Sequence, residues 1–103
     1  QVNTGHSGFT LDGFSASTQG DGADGIELLS GTNFTLQNST FDGLTAGDVL
    51  DFTGVTGLAG TGNTAQNFGG LLFDDGGGNA GAITFDFVDP DGDGVNDGPV
   101  TVP

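Results

Sequence analysis

Gly31-Thr32-Asn33-Phe34-Thr35-Leu36-Gln37-Asn38-Ser39-Thr40-Phe41-Asp42-Gly43-Leu44 and Gly60-Thr61-Gly62-Asn63-Thr64-Ala65-Gln66-Asn67-Phe68-Gly69-Gly70-Leu71 read as two copies of one pattern. Both run Gly-Thr, then Asn, Thr, a small or apolar residue, Gln-Asn, Phe, Gly and Leu. A second apolar stretch follows each copy, at residues 46–52 and 80–87. An earlier copy is visible as Gly8-Phe9-Thr10-Leu11-Asp12-Gly13-Phe14, followed by Ala23-Asp24-Gly25-Ile26-Glu27-Leu28-Leu29. Phe9 precedes Phe34 by 25 positions and Ile26 precedes Val49 by 23, whereas Val49 to Ile83 is 34, a stretch that Gly76-Gly77-Gly78 lengthens. A period in the twenties with Gly, Asn and Asp at the corners is that of stacked β-coils. One coil cannot bury its apolar face, but three stacked coils share a continuous core.

The strands alternate as half-buried strands do. Phe9/Leu11, Ile26/Leu28, Phe34/Leu36, Leu50/Phe52 and Ile83/Phe85/Phe87 fall on one face, with Thr, Glu, Gln and Asp on the other. No helical period persists over three turns, and the Gly density opposes one. The expected fold is a single all-β domain over residues 1–103. Two architectures fit. One is a short β-solenoid of about three coils (repeats near 4–30, 31–57 and 60–88) plus a C-terminal hairpin. The other is a small antiparallel β-sandwich or jelly roll. In it, residues 8–17, carrying Phe9, Leu11 and Phe14, form a donor strand tethered by residues 18–25.

Asp24-Gly25-Ile26-Glu27-Leu28 followed by Asn33-Phe34-Thr35-Leu36-Gln37-Asn38-Ser39-Thr40-Phe41-Asp42-Gly43 resembles a coil of the right-handed parallel β-helix repeats of secreted bacterial surface proteins. The likeness covers residues 24–53 well and 8–73 loosely. It implies a parallel solenoid, and it departs from the pattern in the long third loop and the C-terminal segment. Polysaccharide lyases share the architecture, but their usual Lys or Arg base has no candidate here.

Composition excludes whole classes of function. The 103 residues carry no Lys and no Arg against 14 acids, a formal net charge of −14, and Glu27 is the single Glu. Without a fixed positive charge the chain cannot hold a nucleic-acid backbone. It cannot form a Schiff base or an internal Lys/Arg salt bridge. With no Cys it builds neither a disulfide nor a thiolate metal site. The sequence has no stretch long enough to span a membrane as a helix and no signal-peptide core, and it starts at Gln1. The expectation is a mature secreted chain, extracellular or at the cell surface.

The sharpest chemical motif is Asp89-Pro90-Asp91-Gly92-Asp93-Gly94-Val95-Asn96-Asp97. Asp at loop positions 1, 3 and 5, Gly at 6 and Asp at 9 is the oxygen-ligand spacing of a calcium loop. Asp89, Asp91, Asp93 and Asp97 would supply carboxylates and Val95 its carbonyl to Ca²⁺. Val100 stands where the bidentate Glu usually does. The motif resembles the calcium loops of thrombospondin-type and related bacterial repeats. The same residues also read as a plain Asp/Gly turn between residues 82–88 and 99–102. Asp21/Asp24 and Asp74/Asp75 are weaker acidic pairs that read as solvated loops.

Asn33-Phe34-Thr35 and Asn38-Ser39-Thr40 are glycosylation sequons. On one regular strand Asn33 and Asn38 would face opposite sides; a turn between them would change that. Either Asn reads equally as a solenoid corner whose amide bonds the backbone. Ser7 is too close in sequence to His6, the sole histidine, to be positioned by it as a nucleophile, and Glu27 with an Asp is a routine strand-face pairing. Enzymatic activity is not expected. The expected function is a secreted structural subunit of an extracellular fibre, sheath or surface layer, self-polymerising through strand edges with Ca²⁺ relieving charge repulsion. The alternative is a calcium-dependent adhesin or carbohydrate-binding module recognising glycans. Neither reading involves nucleic acid or membrane insertion.

Overall fold

The computed structural model describes residues 6–19 and 24–103, and within them the chain winds as a β-solenoid of about three turns. Gln1 and, within the supposed tether, residues 20–23 with Asp21 lie outside the described residues. The first rung comprises β1 (His6–Ser7), β2 (Thr10–Asp12) and β3 (Ser15–Gln19), and the second β4 (Ile26–Thr32), β5 (Thr35–Gln37) and β6 (Thr40–Leu44). The third has β7 (Leu50–Thr56) and β8 (Asn63–Gln66); the fourth has β9 (Phe73–Asp75) and β10 (Ile83–Asp89). β11 (Val100–Val102) closes the hairpin with β10. One wall of the solenoid is β1-β4-β7-β9 and a second is β3-β6-β8-β10-β11. A third is β2-β5, continued by single bridges from Thr35 to Ala59 and from Leu58 to Gly81.

Apart from β10–β11, the described strand pairs are parallel. That removes the antiparallel sandwich. Residues 8–17 are not one donor strand either, because the chain turns at Gly13 (φ +73°) between β2 and β3, and both pair in parallel with the second coil. Phe9, Leu11 and Phe14 instead form the apolar lining of the first rung. Phe9 stacks on Phe34 with centroids 5.9 Å apart, and Phe14 lies 5.8 Å from Phe41.

Register sets the true repeat. Thr10 pairs with Thr35, Ile26 with Leu50 and Leu50 with Phe73, so successive coils take 25, 24 and 23 residues. The 34-residue step from Val49 to Ile83 is therefore not a coil: β7 is followed by β9, while Ile83 belongs to the wall above β8. Likewise Thr40-Phe41-Asp42 lies on Thr64-Ala65-Gln66, an offset of 24 and not the 29 that aligns Gly31 with Gly60.

The core is a stack of side chains from each coil. Phe34, Phe41, Phe52 and Phe85 are fully buried with Leu28, Leu36, Leu44, Leu50 and Ile83. Two phenylalanine columns run along the axis. Phe9, Phe34, Phe52 and Phe73 follow one another at 5.9, 5.6 and 5.6 Å; Phe14, Phe41 and Phe85 at 5.8 and 6.0 Å. Such offset and edge contacts add about 0.5–1.5 kcal/mol per pair beyond area burial. Phe87 leaves the apolar face expected of it. A bulge between Phe85 and Phe87 makes Asp86 the extra residue, so Val88 points inward over Ala65 and Phe87 is half-buried.

Candidate acidic cation sites

β10 delivers Asp89 to the start of a turn with its side chain only 2% exposed. Its Oδ1 accepts the N–H of Asp93 at 3.2 Å and its Oδ2 that of Gly94 at 2.9 Å. Asp91 Oδ1 shares the Asp93 N–H at 3.2 Å, and Asp93 Oδ1 accepts the Val95 N–H at 2.8 Å. The loop thus folds around its own carboxylates. One oxygen from each of Asp89, Asp91 and Asp93 lies within 4.8 Å of the other two. Burial pushes the Asp89 carboxyl upward, but the Gly94 N–H and the Asp93 and Asp91 side chains outweigh it, leaving its pKa below the ordinary carboxylate value. Asp89 therefore stays ionised at neutral pH, and this acidic cluster could hold a metal ion.

The Asp97 carboxylate is not among the three drawn together. The Asn96 side chain turns back on β10, accepting the Val88 N–H at 3.0 Å and donating to the Asp86 carbonyl at 3.0 Å. That draws in the Asp97 N–H, which donates to the Val88 carbonyl at 2.7 Å. The Val95 side chain stands 57% exposed. The calcium-loop motif and the hairpin turn are thus the same segment.

A second cluster, Asp24, Asp48 and Asp51, is drawn together as closely, with one oxygen of each within 4.8 Å of the others. Asp24 accepts the Asp48 N–H of the next coil at 2.9 Å, and Asp48 accepts the Leu71 N–H of the coil after that at 2.7 Å. Alongside them, Glu27, Asp51 and Asp74 occupy one register column, a rung apart. Burial, a hydrogen bond with Asp24 and the charges of Asp74, Asp24 and Glu27 push Asp51 up to about 6. Asp74 is also raised, first by a hydrogen bond with Asp48, then by burial and the charges of Asp48, Asp24 and Asp75. Sequence reading grouped Asp74 with Asp75, yet Asp75 closes its own loop, accepting the Gly77 N–H at 2.9 Å and the Asn79 amide at 2.6 Å. Asp48 and Asp51 were missed. Their signal was the spacing of 24 from Asp24 and from Glu27.

This column fixes the sign of a pH effect. Asp51 has a folded pKa near 6 against an ordinary 3.8, so the folded chain holds its proton more tightly than the unfolded chain. The resulting stabilisation is complete below about pH 4 and is lost as pH rises through 6. Asp42, lowered by the Asn67 and Gln66 amides, and Asp89 act oppositely, stabilising at neutral pH and losing that contribution in acid. In chelator, Asp51→Asn is expected to raise Tm at pH 7.5 by about 5 °C, about 1 kcal/mol after solvent screening, with little change at pH 4. Equal Tm values for variant and parent at pH 7.5 would refute the effect.

The sequon residues sit at corners. Asn33 and Asn38 are exposed with φ of +59° and +52°, one at each end of β5, so the strand lies between them and each occupies its own turn. The Asn38 amide donates to Asp12 Oδ1 at 3.1 Å, and its N–H to the Thr61 carbonyl at 3.0 Å. No protein-family model matches the chain, and no curated protein or solved structure shows significant similarity to it.

Proposed function

We propose that the protein is a secreted structural subunit that self-assembles into an extracellular fibre, sheath or surface layer. The observation that carries this reading is the parallel stack itself. Its outermost strands β1, β2, β3 and β9 each have a paired inner edge and no described strand on the other side. Its phenylalanine column ends in Phe9, 36% exposed, and in half-buried Phe73. Unpaired strand edges beside apolar side chains are templates for another chain. The likeness to β-helix surface proteins supports the same conclusion, as does a sequence with no Lys or Arg for trypsin-like proteases to cut.

Charge repulsion between subunits is the obstacle, and Ca²⁺ is the proposed remedy. The Asp89/Asp91/Asp93 group offers up to six carboxylate oxygens, the hard ligands calcium takes. Neutralising them also removes like-charge repulsion in the loop. Asp91→Asn with Asp93→Asn is expected to abolish a calcium-dependent rise in Tm; equal Tm values for the parent in millimolar calcium and in chelator would exclude calcium.

Negative-stain electron microscopy of the purified protein, with calcium and after chelation, tests the assembly reading. Regular filaments that loosen on chelation are expected. Dispersed particles in both conditions would overturn it in favour of a monomeric adhesin module.

A further inference from the structure

β11 differs from the other described strands. It pairs antiparallel, and its one strand partner is β10. Ile83 faces Val102, Thr84 faces Thr101 and Phe85 faces Val100. Val102 is buried in the core, Val100 packs against it, and the Thr84 and Thr101 hydroxyls meet at 2.9 Å. Asn96 and Asp97 complete the edge from Asp86 to Val88. The segment 96–102 is therefore a strap covering the outer edge of the β10 wall. Residues 90–95, which connect it, are exposed or half-buried throughout and contribute no strand.

We propose that β11 is an exchangeable strand, and that in the assembled protein the β11 of one copy lies on the β10 of the next. This rests on the self-assembly reading and adds to its strand edges a second contact, on which association depends. The occupant follows from the structure, because the complement of the β10 edge is already visible as β11, and every other copy carries the same strand. Contacts in the closed and exchanged forms are then the same, so only the connecting loop and the concentration decide between them. The six residues 90–95 span ~20 Å when extended, enough to reach the β10 of an adjoining copy. One-way exchange from copy to copy gives an open chain, and reciprocal exchange gives a closed pair.

The chain has no cysteine, so an introduced pair reports the contact without background. Thr84→Cys and Thr101→Cys place thiols on facing residues that have close side chains. The two single variants are mixed at high concentration and oxidised. A mixed disulfide dimer in severalfold excess over either homodimer is expected, and its absence from the folded mixture overturns the proposal. The double variant oxidised in dilute solution is locked closed and should lose concentration-dependent association; assembly that persists also overturns it. Oxidised after assembly, the double variant should give a covalent ladder. A product that stops at twice the monomer mass keeps the exchange and removes the polymer. Val102→Asp provides a second probe: it expels β11 in either form and should abolish assembly while leaving the coil β-signal in circular dichroism. Assembly by that variant refutes the exchange.

Discussion

Asn63→Leu is expected to remove about 4 kcal/mol of stability, a large part of what a domain of this size has. Asn63 is completely buried in the third coil. Its Oδ1 accepts the Ser39 N–H at 3.1 Å, and its Nδ2 donates to the Leu36 carbonyl at 3.0 Å and the Thr84 carbonyl at 3.1 Å. One side chain thus joins backbone groups of the second, third and fourth coils. Leucine has the same branched skeleton with bulkier ends and would fill the space, so no cavity forms. The loss is polar: three partners are left without the Asn63 amide, at about 1–3 kcal/mol for each that stays dry. Asn63→Asp should be as damaging at pH 7, where a carboxylate would face two carbonyls, and partly restored at pH 4, where the protonated acid can donate once. Urea midpoints for the three proteins measure this. A loss under about 1 kcal/mol for Asn63→Leu would show that water replaces the amide.

The all-β class was legible in the sequence because alternation and corner residues act locally, whereas the choice between solenoid and sandwich needed the parallel pairing itself. Ile26/Leu28, Phe34/Leu36 and Leu50/Phe52 are all buried, as their period of two requires. The register was harder, and Gln37-Asn38 and Gln66-Asn67 show why. They looked like copies of one position, but they occupy different corners and repeat because they do the same work. Gln37 and Asn38 donate to Asp12 at 3.2 and 3.1 Å; Gln66 and Asn67 donate to Asp42 at 3.0 and 2.8 Å. In both, an Asp-Gly of one coil sits under a Gln-Asn of the next. A glycine follows on the coil beyond, Gly62 or Gly92, where a Cβ would collide with the Asn oxygen. Similar chemistry at two corners imitated a coil repeat.

These clamps also explain how so acidic a chain folds without Lys or Arg. Amide and backbone N–H groups take the place of cationic partners: Asn and Gln on Asp12 and Asp42, peptide N–H groups on Asp24, Asp48 and Asp89. For Asp12, Asp24, Asp42 and Asp48 the donors come from the neighbouring coil, so charge satisfaction runs along the axis like the apolar stack, while Asp89 is satisfied within its own turn. Asp51 and Asp74 face other carboxyl groups instead, and their pKa values are raised. Sequence alone could not single them out, since that needs the 24- and 23-residue registers in hand.

Gly60→Ala is the second substitution expected to be severe, at about 3–5 kcal/mol. Gly60 has φ of +130°, a conformation open essentially to glycine alone and costing other residues about 1–3 kcal/mol. A Cβ there would also fall on the Leu36 carbonyl of the neighbouring coil. That neighbour cannot move away: Leu36 donates its N–H to the Ala59 carbonyl at 2.9 Å, and Thr84 donates to the Gly60 carbonyl at 2.9 Å. Gly60 is clamped between the coils on either side, so opening the gap breaks the ladder. Gly13→Ala separates the two contributions, because Gly13 also has positive φ (+73°) but a methyl group there would meet nothing within 4 Å. Its cost should be about 1 kcal/mol, the backbone preference alone. Chemical denaturation of the two variants side by side checks this. Gly60→Ala falling no lower than Gly13→Ala would mean that the coils part easily at this corner, and that the glycine serves its own turn and not the close approach of its neighbour.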